Sequence, residues 1–469
     1  MGVFMNSRIL STLFLCAFFG CTLEPKYETP DVSITTQWKN QQETEILTPR
    51  YENWWDVFED CVLADLIKRA IENNQDLIAA SERVEQARDI ANISRSKLFP
   101  WLTLPLGYSN QEVLTQLYGP GLPSSQFVTR EHQLEYSLPL TMSYEVDLWG
   151  KIRSSYKSAD LGAKARQDAY DAALLVITTE LANAYFQTRI LDAVTSTYES
   201  ILQTRRKTQE IYSSRYEGKL ADYGQVAFSD QELDQTESLY SEVKQQRAVF
   251  ENMIAVLLGS TPSEFHLNPM PLIELPPQIP EGVPASALAR RPDIAEQQLL
   301  MQSIHALLGV AYAEYFPALD LEGGLGVISP LSQYFFKGLS FFWSIGANLT
   351  ELIFDGMARY YKVQLTWSQF RESVARYRQT VLNAFQEVEN SLSNLQWLQK
   401  RMDSISHAVE SAKINQKISN DQYTYGVISY LQVAEKEREV LDNDLIYLTL
   451  LSFRYMNTVQ LIRALGGGW

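Results

Sequence analysis

Five carboxylates fall at alternating positions in two stretches of this sequence: Glu135, Glu145 and Asp147 in one, Asp320 and Glu322 in the other. Paired acids at short range are what hydrolysis by general acid and base requires. The residues between them argue for something else. From Gln133 to Leu148 every even position is apolar: Leu134, Tyr136, Leu138, Leu140, Met142, Tyr144, Val146 and Leu148. The odd positions are Gln133, Glu135, Ser137, Pro139, Thr141, Ser143, Glu145 and Asp147. That period of two is a long strand with one greasy and one wet face, and the acids belong to the wet face. The four histidines (His132, His266, His305, His407) and three cysteines are scattered, with no Cys-x-x-Cys pair and no His-Ser or His-Cys arrangement. No catalytic, cofactor or metal site is expected from such a set, and the chain is not read as an enzyme.

The elements that carry these strands repeat. Leu102, Leu104, Leu106 and Tyr108 give a strand before the long one; Leu319, Leu321, Leu325 and Val327, then Leu339, Phe341, Trp343, Ile345, Ala347 and Leu349, give two more. Hairpins are therefore expected at about 101–148 and about 318–352. Asp76 and Asp293 lie 217 residues apart, as do Phe99-Pro100 and Phe316-Pro317. Gly150-Lys151-Ile152-Arg153 corresponds to Gly356-Met357-Ala358-Arg359 at an offset of 206, and Tyr216, Tyr223 and Leu258-Gly259 to Tyr423, Tyr430 and Leu465-Gly466 at 207. One length change in the hairpin loops accounts for the shift, so the chain is a tandem duplication. After each hairpin the period turns helical: Leu174, Ile177, Leu181, Ala184, Thr188, Leu191, Thr195, Tyr198 and Leu202 step by three and four, a heptad seam. Gly150 to Gly218 read as one helix is about 100 Å long, with a return helix from Gly224 to Leu258 about half that length.

The bulk numbers exclude whole classes. A mean hydropathy of -0.19, with no apolar run of about 18 residues, excludes a bundle of membrane-spanning helices. A net charge of -16 argues against a nucleic-acid partner. Arg8 followed by the apolar stretch Ile9 to Gly20 is too short to span a bilayer and reads as an export signal, residues 1–20. It ends Phe18-Phe19-Gly20-Cys21, which resembles a bacterial lipoprotein box and makes Cys21 a lipid anchor; Cys21 as an ordinary residue past a conventional cleavage site is the alternative. The remaining organisation is an anchored N-terminal segment (21–60), a first repeat (61–259), a linker (260–285), a second repeat (286–466) and a tail (467–469). Behind an export signal, four strands with an apolar face and aromatics near their ends fit an outer membrane barrel with lipid against that face. Four strands cannot close, and open edges are not tolerated in lipid, so three copies supplying twelve strands are expected.

The pattern resembles the TolC family of outer membrane factors, in particular its OprM- and NodT-type lipoprotein branch. The residues that carry the resemblance are Pro25-Lys26-Tyr27, Trp54-Trp55, Tyr144 to Gly150, Arg290-Arg291-Pro292-Asp293-Ile294, Phe316-Pro317, Phe354-Asp355-Gly356 and Leu465 to Trp469. The resemblance implies a mainly α fold with a membrane β-barrel: a homotrimer whose shared barrel continues as a periplasmic α-barrel. It also implies coupling through a periplasmic adaptor, or membrane fusion protein, to an inner-membrane pump of the resistance-nodulation-division type. The function implied is an exit duct for small solutes or drugs, with a duct for polypeptide secretion or a coiled-coil structural lipoprotein as alternatives. The same resemblance places a gate at the helix tips, Tyr216 to Val226 and Tyr423 to Val433. Tyr423 matches its latch tyrosine, but Ile428 stands at the arginine position and Gln225 at the facing aspartate, so the ionic latch is absent. Gln432 and Glu435 occupy the acidic-ring positions. Glu435 is either a lumen charge or an ordinary solvated one, and Tyr430 either a constriction or a packing residue.

Overall fold

A computed structural model of the chain describes residues 22–31, 38–39, 53–117, 127–277, 288 and 290–467. In the first repeat α1 (Cys61–Asn73) and α2 (Gln75–Ser96) lead into β1 (Trp101–Thr103), β2 (Gly107–Leu117) and β3 (Phe127–Val146), then α3 (Lys151–Glu217) and α4 (Tyr223–Leu257). The second repeat runs α5 (Pro292–Ala313), β4 (Ala318–Ser329), β5 (Phe341–Thr350), α6 (Ala358–Thr424) and α7 (Tyr430–Ala464). α3 and α6 have 67 residues each, α4 and α7 have 35 each.

The duplication extends to individual atoms. Asn74 Nδ2 donates to the carbonyl of Leu257 at 2.9 Å; 217 residues on, Arg291 Nη1 donates to the carbonyl of Ala464 at 2.8 Å. Each side chain thus satisfies an orphan carbonyl in the last turn of its own repeat's return helix. Gly259 and Gly466 end those helices at φ +68° and +90°, the left-handed closing conformation that glycine adopts without cost. A Cβ on Gly259 would fall against the carbonyl of Asn73.

Contacts gather into two compact units, each drawn from both repeats. The first holds the described part of Met1–Pro30 with Glu85–Ala165 and Gln298–Ala375; the second holds the described part of Asp31–Val84, Arg166–Gln297 and Arg376–Trp469.

The first unit contains one antiparallel sheet in the order β1-β3-β4-β5, with β2 following β1 along the same edge of β3. Sequence alternation predicts one strand from 101 to 108; the structure breaks it at Leu104–Leu106. The register pairs Thr103 with Thr141 and Gly107 with Ser137, which sets Pro105 opposite Pro139. Neither proline can donate to the ladder, so pairing lapses there and resumes beyond. On its other side Pro139 faces Gly326, where an added Cβ would run into the Leu138 carbonyl and the Pro139 Cα. β3 also begins six residues before the alternation does, because Arg130, Glu131 and His132 offer no apolar face to read. In the same unit the segment after residue 21 is tied down by Glu24. Its carboxylate takes Lys157 Nζ at 2.8 Å and meets His305 Nδ1 at 3.1 Å, with the buried His305 ring edge-on to Tyr27 and Phe370.

The second unit holds the apolar core. Asp60 caps α1 by accepting from the amides of Val62 and Leu63, and Leu63, Leu66, Ile67 and Ala70 form its buried stripe at i, i+3, i+4, i+7. They pack with Leu181, Tyr185 and Phe186 of α3 and Leu451, Tyr455 and Ile462 of α7. Of the heptad seam expected on α3, Leu181, Ala184, Thr188, Tyr198 and Leu202 are buried, and Leu174, Ile177, Leu191 and Thr195 half-buried. Between 181 and 193 the helix is buried on nearly every side, since α1, the 3-10 turn Trp54–Phe58 and the linker after α4 all pack there. The linker is held by polar groups. Asp192 accepts from Arg247 Nε at 2.6 Å and from the Met270 amide at 2.8 Å, while Arg247 and Arg189 donate to the carbonyls of Leu267 and Asn268 at 2.7 and 2.5 Å.

Candidate functional site

The sheet of the first unit has two chemically opposed faces, and the register proves the alternation. Apolar residues pair from β1 through β3 and β4 to β5: Met142 with Leu102, Tyr144 with Leu321, Leu140 with Leu325, and Leu325 in turn with Trp343. On the opposite face Thr103 and Thr141 share a hydrogen bond of 2.6 Å, Ser143 pairs with Glu322, and Glu145 with Asp320 and through it Asn348. The apolar face is widely exposed; Leu106, Trp343 and Ile345 keep 80, 72 and 81% of their surface open, a state that water penalises and lipid does not. Among the described residues no strand pairs with the outer edge of β1 and β2 or with that of β5.

Glu145 and Asp320 are direct cross-strand neighbours, the closest this chain comes to a paired-acid site. Lys151 Nζ lies 3.0 Å from Glu145, and both acids border an open cleft of about 460 Å³ that also holds Glu351 and Arg359. The acids continue the row of serine, threonine and asparagine along the same face, which is the composition of a wetted wall.

Strand-to-helix corners are made alike in both repeats. Gly150 and Gly356 take φ +76° and +62°, allowing the chain to turn from sheet into helix. Asp147 accepts from the Ile152 and Arg153 amides and from Arg153 Nε at 3.0 Å; Asp355 does the same for the Met357 and Arg359 amides and Arg359 Nε at 2.8 Å. The Arg359 guanidinium holds the Asp355 carboxyl below the usual carboxylate range. Trp149 packs at a tilt on Phe316 at 4.7 Å and donates to the Pro317 carbonyl at 2.8 Å, the physical role of the Phe-Pro motif in the second repeat.

The second candidate site lies at the tips of the long hairpins. Asp222 caps α4 by accepting from the Gln225 amide at 3.2 Å; Ser429 and Gln432 form a reciprocal capping box on α7. Gln225, Gln432 and Glu435 have exposed side chains, and Ile428 is half-buried in the second turn. Tyr423 accepts a hydrogen bond from Arg215 Nη1 at 3.2 Å. Tyr430 is half-buried; its hydroxyl bonds with that of Thr208 at 2.7 Å and reaches Glu437 at 3.4 Å. Cys21 lies outside the described residues.

The tip also contains groups that motif reading passed over. Arg205, whose side chain is 5% exposed, lies 3.2 Å from Glu232 of α4 and 3.6 Å from Glu437 of α7. Burial pushes the Glu437 carboxyl above the usual glutamate range, against the pull of Arg205 and the Tyr430 hydroxyl. Burial likewise raises Tyr430, and raises Tyr212 to about 12. In sequence Glu437 belongs to the run Glu435-Lys436-Glu437-Arg438-Glu439 and looks solvated. The available signal was its heptad spacing from Tyr430 on α7.

A profile of the outer membrane efflux protein family matches this chain twice, over residues 66–260 and 283–467. The "Probable efflux pump outer membrane protein TtgC" of Pseudomonas putida is 26% identical over 99% of this chain and 96% of its own length. The "Probable outer membrane lipoprotein SilC" of Salmonella typhimurium is 26% identical over 98% of both. Among solved structures, the outer-membrane channel OprN superposes with a TM-score of 0.85 at 25% identity, covering 96% of this chain and all of that one.

Proposed function

The chain belongs to the outer membrane efflux protein family, and on that premise we propose that it is the outer membrane exit duct of a tripartite efflux system. The observation that carries this reading is the sheet: one face apolar, the other polar, and both outer edges unpaired among the described residues. An unpaired strand edge in hydrocarbon costs several kcal/mol for each orphaned group, so a barrel must close on itself. One chain supplies too few strands. Three copies, each joining the free edge of β5 to the free edge of another chain's β1 and β2, make a twelve-stranded barrel with Glu145, Asp320 and Glu322 inside and the apolar face in lipid. Solutes then pass along a wet wall that does no chemistry on them.

Energy and selection come from partners. A periplasmic adaptor couples the duct to an inner-membrane pump of the resistance-nodulation-division type, and small solutes or drugs are the cargo. Cys21 anchors the chain through a lipid, as expected of a relative of an outer membrane lipoprotein such as SilC. The 22–30 segment that follows it is held to its unit by Glu24.

The test is the native mass of protein extracted from outer membranes in mild detergent. A trimer is expected, with step conductances when it is placed in planar bilayers. A stable monomer would mean that the strands share no barrel, and the duct would fall with it.

A further inference from the structure

The second repeat fills a space that the first leaves open. At Phe316 the indole of Trp149 packs on the ring at 4.7 Å and donates to the carbonyl of Pro317. Phe99 is the counterpart of Phe316 at the offset of 217, and Asp355 is the counterpart of Trp149 at 206. Asp355 offers no ring, and its carboxylate is already held by Arg359 Nε at 2.8 Å. Among the described residues no aromatic ring packs on Phe99 or on Trp101, and the two keep 59 and 61% of their surface open. Both border a cleft of about 530 Å³, a volume that suits a small organic molecule.

The cleft opens on the wet face of the sheet. Trp101 stands opposite Ser143 in the register and Glu145 opposite Asp320, and all four line it. Glu145 is matched by Lys151 Nζ at 3.0 Å, whereas Asp320 makes no ion pair among the described residues. Lys97, on the turn after α2, also lines the cleft. Asp320 is half-buried and Lys97 exposed, so water screens the ammonium more than the carboxylate and the balance favours a cation.

We propose that this cleft is a binding site for planar aromatic cations on the wall of the duct. The ring lies against Phe99 and Trp101, where the second repeat seats the indole of Trp149, and the positive charge faces Asp320 and the indole of Trp101. Each contact is modest, as an exit path requires, since cargo held tightly would block the route by which it leaves. The inference rests on the duct reading, which makes the wet face a lumen.

The test is equilibrium dialysis of the full-length protein, in an uncharged detergent, against proflavine, a planar aromatic cation at neutral pH. Fluorescein serves as the aromatic anion, and protein-free micelles as the blank. Proflavine is expected to bind and fluorescein to bind far more weakly. Asp320→Asn, which keeps the shape, and Trp101→Ala are each expected to weaken proflavine about two- to fivefold, the worth of an exposed ion pair or cation–π contact. Lys97→Gln is expected to strengthen it about twofold. Proflavine held equally by the parent and Asp320→Asn, or fluorescein held as tightly as proflavine, would overturn the site. In planar bilayers proflavine is expected to reduce the parent's conductance at about two- to fivefold lower concentration than it does for Asp320→Asn. A parent that never conducts would sink the duct reading, and with it the claim that the cleft lines a path, while dialysis would still decide whether the cleft binds the cation.

Discussion

Removing Asp192 should release the linker after α4 without unfolding the rest. Its side chain is 2% exposed and lies between two guanidiniums, Arg247 at 2.6 Å and Arg189 at 3.5 Å, whose side chains are 12 and 4% exposed. It also accepts from the Met270 amide. Asp192→Ala leaves Arg189 with no carboxylate, only the Asn268 carbonyl and the Tyr185 side chain, and leaves Arg247 with Glu251 alone as carboxylate partner. Breaking a buried ion pair by deleting one member costs about 3–5 kcal/mol, because the other charge is left uncompensated. If about 3 kcal/mol of that appears as easier local opening, amide exchange at Met270 and Leu267 should accelerate roughly a hundredfold. Exchange at α1 amides, held by their own cap, serves as the internal reference. Asp192→Asn keeps an acceptor for Met270 and should lie between the two. An acceleration below about threefold in Asp192→Ala, the range of an ordinary surface change, would refute the claim that the linker is held through this carboxylate.

Three further outcomes follow from particular contacts. The folded tip binds the Glu437 proton more tightly than the unfolded chain does, so its penalty is full above the raised pKa and is relieved as pH falls through it; tip protection in hydrogen exchange should rise as pH drops from neutral toward the ordinary glutamate value, and Glu437→Gln should abolish that slope. Gly326→Ala forces a Cβ onto the Leu138 carbonyl and Pro139, an overpacking cost of about 1–3 kcal/mol at the β3–β4 pairing, and should lower the temperature at which the assembled barrel dissociates on gels. Cys21→Ser should remove fatty-acid labelling; label that persists would place the anchor elsewhere.

Periodicity gave the elements because membrane strands and long helices are patterned by their surroundings on one side only. Every even residue from 134 to 146 is apolar and falls on one face of the sheet, so the period of two persists and the strand can be read from it. The break at Leu104–Leu106 was not readable from one strand, since Leu104 and Leu106 keep the alternation; it needed the register that sets Pro105 against Pro139. The heptad on α3 was legible for the same reason as the strands, yet Tyr185, Arg189 and Asp192 were missed. They face segments distant in sequence, the 54–58 turn and the 265–272 linker, whose approach no local period records.

The tip shows why duplication hides its own function. At the offset of 207, Arg205, Thr208, Tyr212 and Arg215 correspond to Ala412, Asn415, Ser419 and Gln422, while Tyr423, Tyr430 and Glu437 correspond to Tyr216, Tyr223 and Asp230. The tyrosines are the shared part: the rings of Tyr216 and Tyr223 meet at a tilt at 5.6 Å, and those of Tyr423 and Tyr430 edge-on at 5.7 Å. The partners are not shared. Only the first repeat has arginines at these positions of its long helix, and Asp230 takes Gln209 of its own hairpin rather than a guanidinium across from it. A search for what the repeats have in common therefore finds Tyr423 and Tyr430 and passes over the residues they bind. The polar rows fit in one direction only, first hairpin to second, so in a ring of alternating hairpins the contact within a chain and the contact between chains cannot be equivalent.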